Sequence, residues 1–94
     1  MVGKKCLIRA TGAGVHFGEV VKIKKDRVTL KDARRIWRWR GANTLNELAN
    51  GGASLTEFTR IADPVAEMIV IGAHEIIPVT KAAAKNLEVS RWLD

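Results

Sequence analysis

Four arginines and two tryptophans fall within the seven residues from Arg34 to Arg40, in the stretch KDARRIWRWRGAN. A guanidinium group binds phosphate oxygens through paired N–H donors. An indole ring stacks on a nucleobase, which contributes roughly 1–3 kcal/mol per base. The combination is therefore typical of a nucleotide pocket and equally of a groove for single-stranded nucleic acid. A third interpretation is an ordinary strand whose tryptophans fill the core and whose charges lie in water.

The two faces of this segment differ if residues 33–39 form a β-strand, because side chains alternate along a strand. One face then carries Arg35, Trp37 and Trp39. The other face then carries Arg34, Ile36, Arg38 and Arg40. An arginine is almost never buried without a partner, so a buried Arg35 needs a carboxylate, backbone carbonyls or a bound anion. Glu75 and Glu67 are the candidate carboxylates.

A glycine-rich stretch, TGAGVHFG from Thr11 to Gly18, could complete such a site, because glycine turns offer backbone N–H groups to anions. It is neither a GxGxxG motif nor a P-loop, and a tight hairpin turn is the favoured alternative. His16 could contact a ligand, although a half-buried, hydrogen-bonded histidine is the more ordinary case. The predicted ligand-binding residues are Arg34, Arg35, Trp37, Trp39, His16 and Thr11.

The residue types and their spacing give little support for a catalytic or metal-binding site. One cysteine and two histidines, far apart in the sequence, have no metal-ligand spacing. Ser54 and Ser90 lie in no nucleophile motif. We therefore predict no catalytic residue, no metal and no cofactor, and expect a protein that is not an enzyme.

The net charge and the chain length limit the classes of partner that we expect the protein to bind. The formal charge of +6 favours a phosphate-bearing small molecule or nucleic acid. The longest apolar stretch, residues 64–79, is interrupted by Glu67, His74 and Glu75 and is too short to span a bilayer as a helix, so no membrane partner is expected. No signal peptide opens the chain, which favours a cytoplasmic location. Residues 1–94 are expected to form one domain with a small core, which favours a homo-oligomer.

Hydrophobic alternation and turn residues predict an α+β fold. The expected strands cover residues 6–11, 15–24, 27–32, 33–39, 65–72 and 74–79, with a further short strand at 57–61. Thr44 and Glu47 form a capping-box pattern before a short helix over residues 45–50. A terminal helix begins after Thr80, and Leu87 and Trp92 would dock it. These elements predict a small curled antiparallel sheet or partial barrel of five to six strands, with one short helix and a C-terminal helix.

Three segments, AGVHFG (13–18), KDARRIWRWRGANTLNELANGG (31–52) and HEIIPVTKAA (74–83), carry a resemblance. They resemble a family of small proteins of unknown function from tailed bacteriophages and prophages, with the pattern AGVH-x-G, ARRIW-x-W-x-GA-x-TL-x-EL and EIIP. Arg38 and Arg40 occupy open positions of that pattern, and residues 53–71 match it least. The resemblance implies a phage origin and a location in the host cytoplasm.

The resemblance also frames the function, because small phage proteins often act by binding. The leading hypothesis is a counter-defence sponge that sequesters a nucleotide-derived immune signal, such as a cyclic oligonucleotide or an ADP-ribose derivative, without catalysis. Arg34 or Arg35 would hold phosphate and Trp37 or Trp39 would stack on the base. The alternative is an accessory protein that binds nucleic acid through its basic, tryptophan-containing strand. A protein that blocks a host protein is a third hypothesis.

Overall fold

The computed structural model of the chain describes residues 1–55 and 58–90. Two predicted features therefore lie outside the described residues: the docking of Trp92, and the start of the strand predicted at 57–61. The elements, in chain order, are β1 Lys5–Ala10, β2 Gly14–Lys24, β3 Arg27–Arg38, α1 Leu45–Gly51, β4 Arg60–Ile61, β5 Val65–Ile71, β6 Ala73–Pro78 and α2 Lys81–Val89.

The strands form one antiparallel sheet that is not closed, in the order β4-β3-β2-β1-β6. The long strand β3 has two partners along its outer side, because its first half pairs with β5 and its last residues pair with β4. Two helices complete the described chain. The predicted α+β class, with a six-stranded sheet, a short helix and a C-terminal helix, is confirmed.

The predicted separation of residues 27–32 and 33–39 into two strands is wrong, because β3 runs through both. A β-bulge lies where the two predicted strands meet. Lys31 lies opposite Glu19 and Arg34 lies opposite Phe17, which leaves two residues of β3 facing Gly18. Asp32 takes a φ of 52°, a conformation that aspartate tolerates better than most residues. The extra residue changes which face each later side chain occupies.

Two apolar clusters lie on opposite faces of the sheet. One packs the sheet against both helices and contains Leu7, Phe17, Ile36, Leu48, Ala49, Ala53, Ile61, Ala84 and Leu87. The other lies within the curl of the sheet and contains Cys6, Ile8, Ala10, Val20, Val28, Leu30, Ala33 and Val70. Because of the bulge, β3 contributes to the second cluster before residue 34 and to the helix-side cluster after it.

Each helix begins at a threonine. The Thr44 hydroxyl accepts a hydrogen bond from the Glu47 amide at 3.2 Å, and the Glu47 carboxylate accepts one from the Asn43 amide at 2.6 Å. The Thr44 half of the predicted capping box therefore forms, while the Glu47 carboxylate binds the amide one residue before the cap. Helix α1 ends one residue later than expected. Thr80 caps α2 in the same way, by accepting from the Ala83 amide. Among residues 1–55 and 58–90, no helix is long and apolar enough to cross a membrane.

Candidate functional site

Arg34 is a structural residue at the boundary between β3 and α2. Its side chain is buried, and its five N–H groups donate to five backbone carbonyls at 2.6–3.4 Å. Three of these carbonyls, those of Leu87, Glu88 and Ser90, belong to the end of α2 and the residue after it. The other two acceptors are the carbonyls of Ile61 and Ala62.

A cation at this point suits a helix C-terminus, whose last carbonyls have no partner within the helix. Burial lowers the pKa of Arg34 from its ordinary value, and the charge of Asp63 opposes that shift. Because every N–H of this guanidinium already donates to a carbonyl, Arg34 has no donor left for a phosphate. In the structure, Arg34 therefore donates to backbone carbonyls instead of binding a phosphate as predicted.

The two tryptophans of the segment do not share a face. Trp39 packs partly buried against the helix-side cluster, and its indole nitrogen donates to the Ala42 carbonyl at 3.0 Å. Trp37 is 56% exposed. A second irregularity in register, between Ile36 and Arg38, separates them. The expected grouping of Arg35, Trp37 and Trp39 is therefore wrong for Trp39, while Arg35 and Trp37 are both exposed on either side of buried Ile36.

His16 is buried in β2 at the Cα position opposite Arg35. Its Nδ1 atom makes no hydrogen bond to any described residue. Burial lowers the pKa of His16, and the nearby charge of Arg35 lowers it further. The imidazole is therefore held neutral in the folded protein rather than presented at the surface.

Thr11 lies in the turn between β1 and β2 and is exposed. Its hydroxyl contacts the ring of His74, and its amide donates to the Gly72 carbonyl at 3.1 Å. Glu75, a candidate partner for Arg35, instead pairs with Arg9 at 3.4 Å. Among the described residues Arg35 forms no ion pair, which its exposure makes unnecessary. Of the six predicted site residues, Arg34 and His16 are buried, Trp39 is partly buried, and Thr11, Arg35 and Trp37 are exposed.

A different constellation forms at the C-terminal end of β3, where three guanidinium groups alternate with two aromatic rings. We call it the Arg/aromatic ladder, and it consists of Arg60, Trp37, Arg38, Phe58 and Arg40. The guanidinium carbons of Arg60 and Arg38 each lie 5.3 Å from the Trp37 ring centre. Arg38 and Arg40 lie 4.5 and 4.1 Å from the Phe58 ring centre. These separations are those of cation–π contacts, each worth about 0.5–1 kcal/mol at an exposed site.

Backbone contacts hold the ladder in place. The Arg38 Nε donates to the Phe58 carbonyl at 2.9 Å, which fixes the plane of that guanidinium. The Arg40 amide donates to the buried hydroxyl of Thr59 at 3.2 Å. The chain then turns at Gly41, where φ is 94° and an added Cβ would collide with the Ser54 hydroxyl. The ladder is therefore built into the sheet edge and not onto a free loop.

The ladder leaves hydrogen-bond donors for a ligand. In the described part of the chain, the terminal nitrogens of Arg38 and the side chain of Arg40 make no hydrogen bond and no ion pair. Guanidinium N–H groups in this situation can donate to phosphate oxygens. The Trp37 side chain beside them is 56% exposed.

Trp37 is the one ladder residue in the sequence-based ligand set. Arg38 and Arg40 were singled out as charges but not as ligand residues, and Phe58 and Arg60 were not singled out. The pairing of β4 with the end of β3 brings Arg60 to Trp37 and Phe58 to Arg38. The alternation of aromatic and basic residues in FTR, within the strand predicted at 57–61, was the available signal. Over residues 1–55 and 58–90, no group of three or more histidine, cysteine or acidic side chains could hold a metal ion.

The chain matches a known protein family. A profile described as a domain of unknown function, DUF6948, matches residues 3–87. The chain belongs to the DUF6948 family. The match spans both long strands, the ladder residues and most of α2, so the whole described site lies within the DUF6948 domain. Neither a curated protein nor a solved structure matches the chain.

Proposed function

We propose that this protein binds single-stranded nucleic acid through the Arg/aromatic ladder. The observation that carries the proposal is the exposed Trp37 side chain, whose ring centre lies 5.3 Å from the guanidinium carbons of both Arg38 and Arg60, with further cation–π contacts continuing to Arg40. Successive rings and guanidinium groups along one edge suit a ligand that repeats base and phosphate along its length. An intact duplex keeps its bases stacked, so an exposed ring favours an unpaired strand.

Net charge supports the same ligand class. The formal charge of +6 gives a polyanion a favourable electrostatic term that does not depend on sequence. The ladder lies on an open surface. A nucleic acid there would be bound through its phosphate backbone and the flat faces of its bases, and these contacts do not depend on base order. We therefore expect binding with weak sequence preference.

A binding titration tests the proposal. Fluorescence anisotropy of a labelled 15-nucleotide single strand should report saturable binding, and Trp37→Ala should weaken it by roughly 1–3 kcal/mol. Ile69→Ala is the matched control, because Ile69 is 55% exposed and Trp37 is 56% exposed. Binding that is equally strong for both variants would contradict a role for Trp37.

Sequestration of a nucleotide-derived signal, such as a cyclic oligonucleotide or an ADP-ribose derivative, is a second candidate. It is favoured by exposed Arg35 and Trp37, which offer one guanidinium and one ring on either side of Ile36. The open surface would need a second copy of the chain to enclose a small ligand, so this function goes with a homo-oligomer. A melting-temperature increase with a cyclic dinucleotide or ADP-ribose, together with a dimeric mass by light scattering, would support it. A monomer without such an increase would contradict it.

The resemblance to small proteins of tailed phages and prophages supports a phage origin for either function. On that basis the protein would act in the cytoplasm of the bacterial host, where single-stranded nucleic acid and nucleotide signals both occur. The resemblance names no ligand, so it does not separate the two functions.

A further inference from the structure

A second basic site lies away from the ladder, in a cleft between α2 and the ends of β1 and β6. The cleft has a volume of about 690 Å³, within the range of small-molecule sites. Its lining combines an apolar wall, formed by Pro78, Val79 and Ala84, with a set of charged side chains. The charged residues are Lys4, Lys5, Lys81, Lys85, Glu19 and Glu88.

Positive charge exceeds negative charge in this cleft. Lys5 is paired with Glu88, and this hydrogen-bonded contact is the main cause that raises the pKa of Lys5. Among the described residues Lys4, Lys81 and Lys85 have no ion-pair partner, and Glu19 is the one further carboxylate in the lining. Three lysines without an ion-pair partner among the described residues therefore line a cleft large enough to hold a ligand.

The arrangement is unfavourable for the protein alone. Lys81 and Lys85 are four residues apart on α2, so their like charges repel on one helix face. The first turn of α2 contains no acidic residue, although a helix N-terminus favours acidic side chains and disfavours a lysine. A bound polyanion would remove both penalties at once.

We infer that this cleft binds a small molecule carrying two or more linked phosphate groups. The ammonium groups of Lys4, Lys81 and Lys85 would contact the phosphate oxygens, and Pro78 and Val79 would contact an attached apolar or ring group. The inference is independent of the ladder, because no ladder residue lines the cleft. It adds a second ligand site to a protein proposed to bind a nucleic-acid strand.

Titration by NMR tests the inference with two defined ligands. Tripolyphosphate and ADP are each added to ¹⁵N-labelled protein, and the amide signals of Lys4, Lys81 and Lys85 are followed. Both ligands should shift these signals saturably at one-to-one stoichiometry. Tighter binding of ADP would assign the apolar wall to the nucleoside, and equal binding would restrict recognition to the phosphates.

Variants separate a specific site from general charge attraction. The double variant Lys81→Gln/Lys85→Gln should weaken binding by at least about tenfold, since each lost charged contact is worth about that factor. Lys22→Gln/Lys24→Gln removes the same charge from the exposed end of β2 and should change the affinity by less than about twofold. Trp37→Ala should leave this binding unchanged. Equal losses in the two lysine variants, or no saturable shift with either ligand, would overturn the inference.

Discussion

Arg34 and Arg35 are neighbours in β3, but Arg34 is buried and Arg35 is exposed. Arg34 points to the helix side and donates to five carbonyls, whereas Arg35 is exposed beside buried His16. Sequence reasoning treated both as phosphate ligands, because a guanidinium suits a phosphate and a ring of carbonyls equally well. Alternation along the strand could separate them by face, but the acceptors around Arg34 come from distant α2 and could not be foreseen.

Substitution of Arg34 should be costly. Arg34→Met leaves buried carbonyls of α2 and β4 without a donor, and we expect the free energy of unfolding to fall by about 3 kcal/mol. Arg35→Met removes the adjacent exposed guanidinium and should change it by less than about 0.5 kcal/mol. Urea denaturation of both variants measures the difference. Equal stabilities would mean that the carbonyl contacts of Arg34 contribute nothing.

His16 should make the protein sensitive to acid. Burial, followed by the charge of Arg35, lowers the pKa of His16 in the folded state, whereas the unfolded chain titrates near about 6.5. Below that pH the unfolded state binds more protons than the folded state. The contribution of His16 to the free energy of unfolding is therefore fully present above about pH 6.5. It decreases as the pH falls below that value, by at most ~1.4 kcal/mol per pH unit.

Denaturation at several pH values between 8 and 5 tests this dependence. His16→Leu should remove the part of the slope due to this imidazole, and it leaves no buried nitrogen without a partner. A wild-type slope in His16→Leu would show that other groups cause the acid sensitivity.

At the scale of elements, the bulge between β2 and β3 decides which side chains of β3 reach the surface. Sequence reasoning can mark Gly18 as a bulge or a point of close approach, because a glycine inside a strand is typical of both, and the structure has both there. It could not predict that the insertion lies in the opposite strand at Asp32 and Ala33, because pairing register depends on partners remote in sequence. The same limit explains why Trp39 was grouped with Trp37. The local sequence pattern was enough to predict that the strands exist. It was not enough to predict which face each side chain occupies or in which register the strands pair.

Gly18 allows the close approach of β3 at the bulge. A Cβ at this position would lie 3.1 Å from the Lys31 carbonyl oxygen and 3.2 Å from the Leu30 Cβ. We expect Gly18→Ala to lower the free energy of unfolding by about 1–2 kcal/mol. Gly51→Ala is the control, because a Cβ at Gly51 meets no atom within 4 Å, and it should be neutral or stabilise by up to about 1 kcal/mol. Thermal denaturation compares them, and a Gly18→Ala variant as stable as wild type would contradict the tight contact.

At the scale of the whole molecule, β3 has twelve residues and bends at the bulge between residues 31 and 34. Fully extended it would measure roughly 40 Å at about 3.3 Å per residue, which exceeds the 35 Å longest extent of the molecule. The ladder is at one end of β3, and the exposed lysines Lys22 and Lys24 pair with its other end. Net charge alone would let either end attract a polyanion. We assign nucleic-acid binding to the ladder end because the aromatic rings of Trp37 and Phe58 lie there.

The most direct test of that claim is the salt dependence of single-strand binding in two charge-matched variants, Arg38→Ala/Arg40→Ala and Lys22→Ala/Lys24→Ala. Anisotropy titrations with the labelled 15-nucleotide strand give the slope of log affinity against log salt. The account predicts that the ladder variant loses affinity and that its slope falls by about 1.4, while the lysine variant stays close to wild type. Equal losses in both variants would mean that charge spread over the surface, and not the ladder, holds the strand.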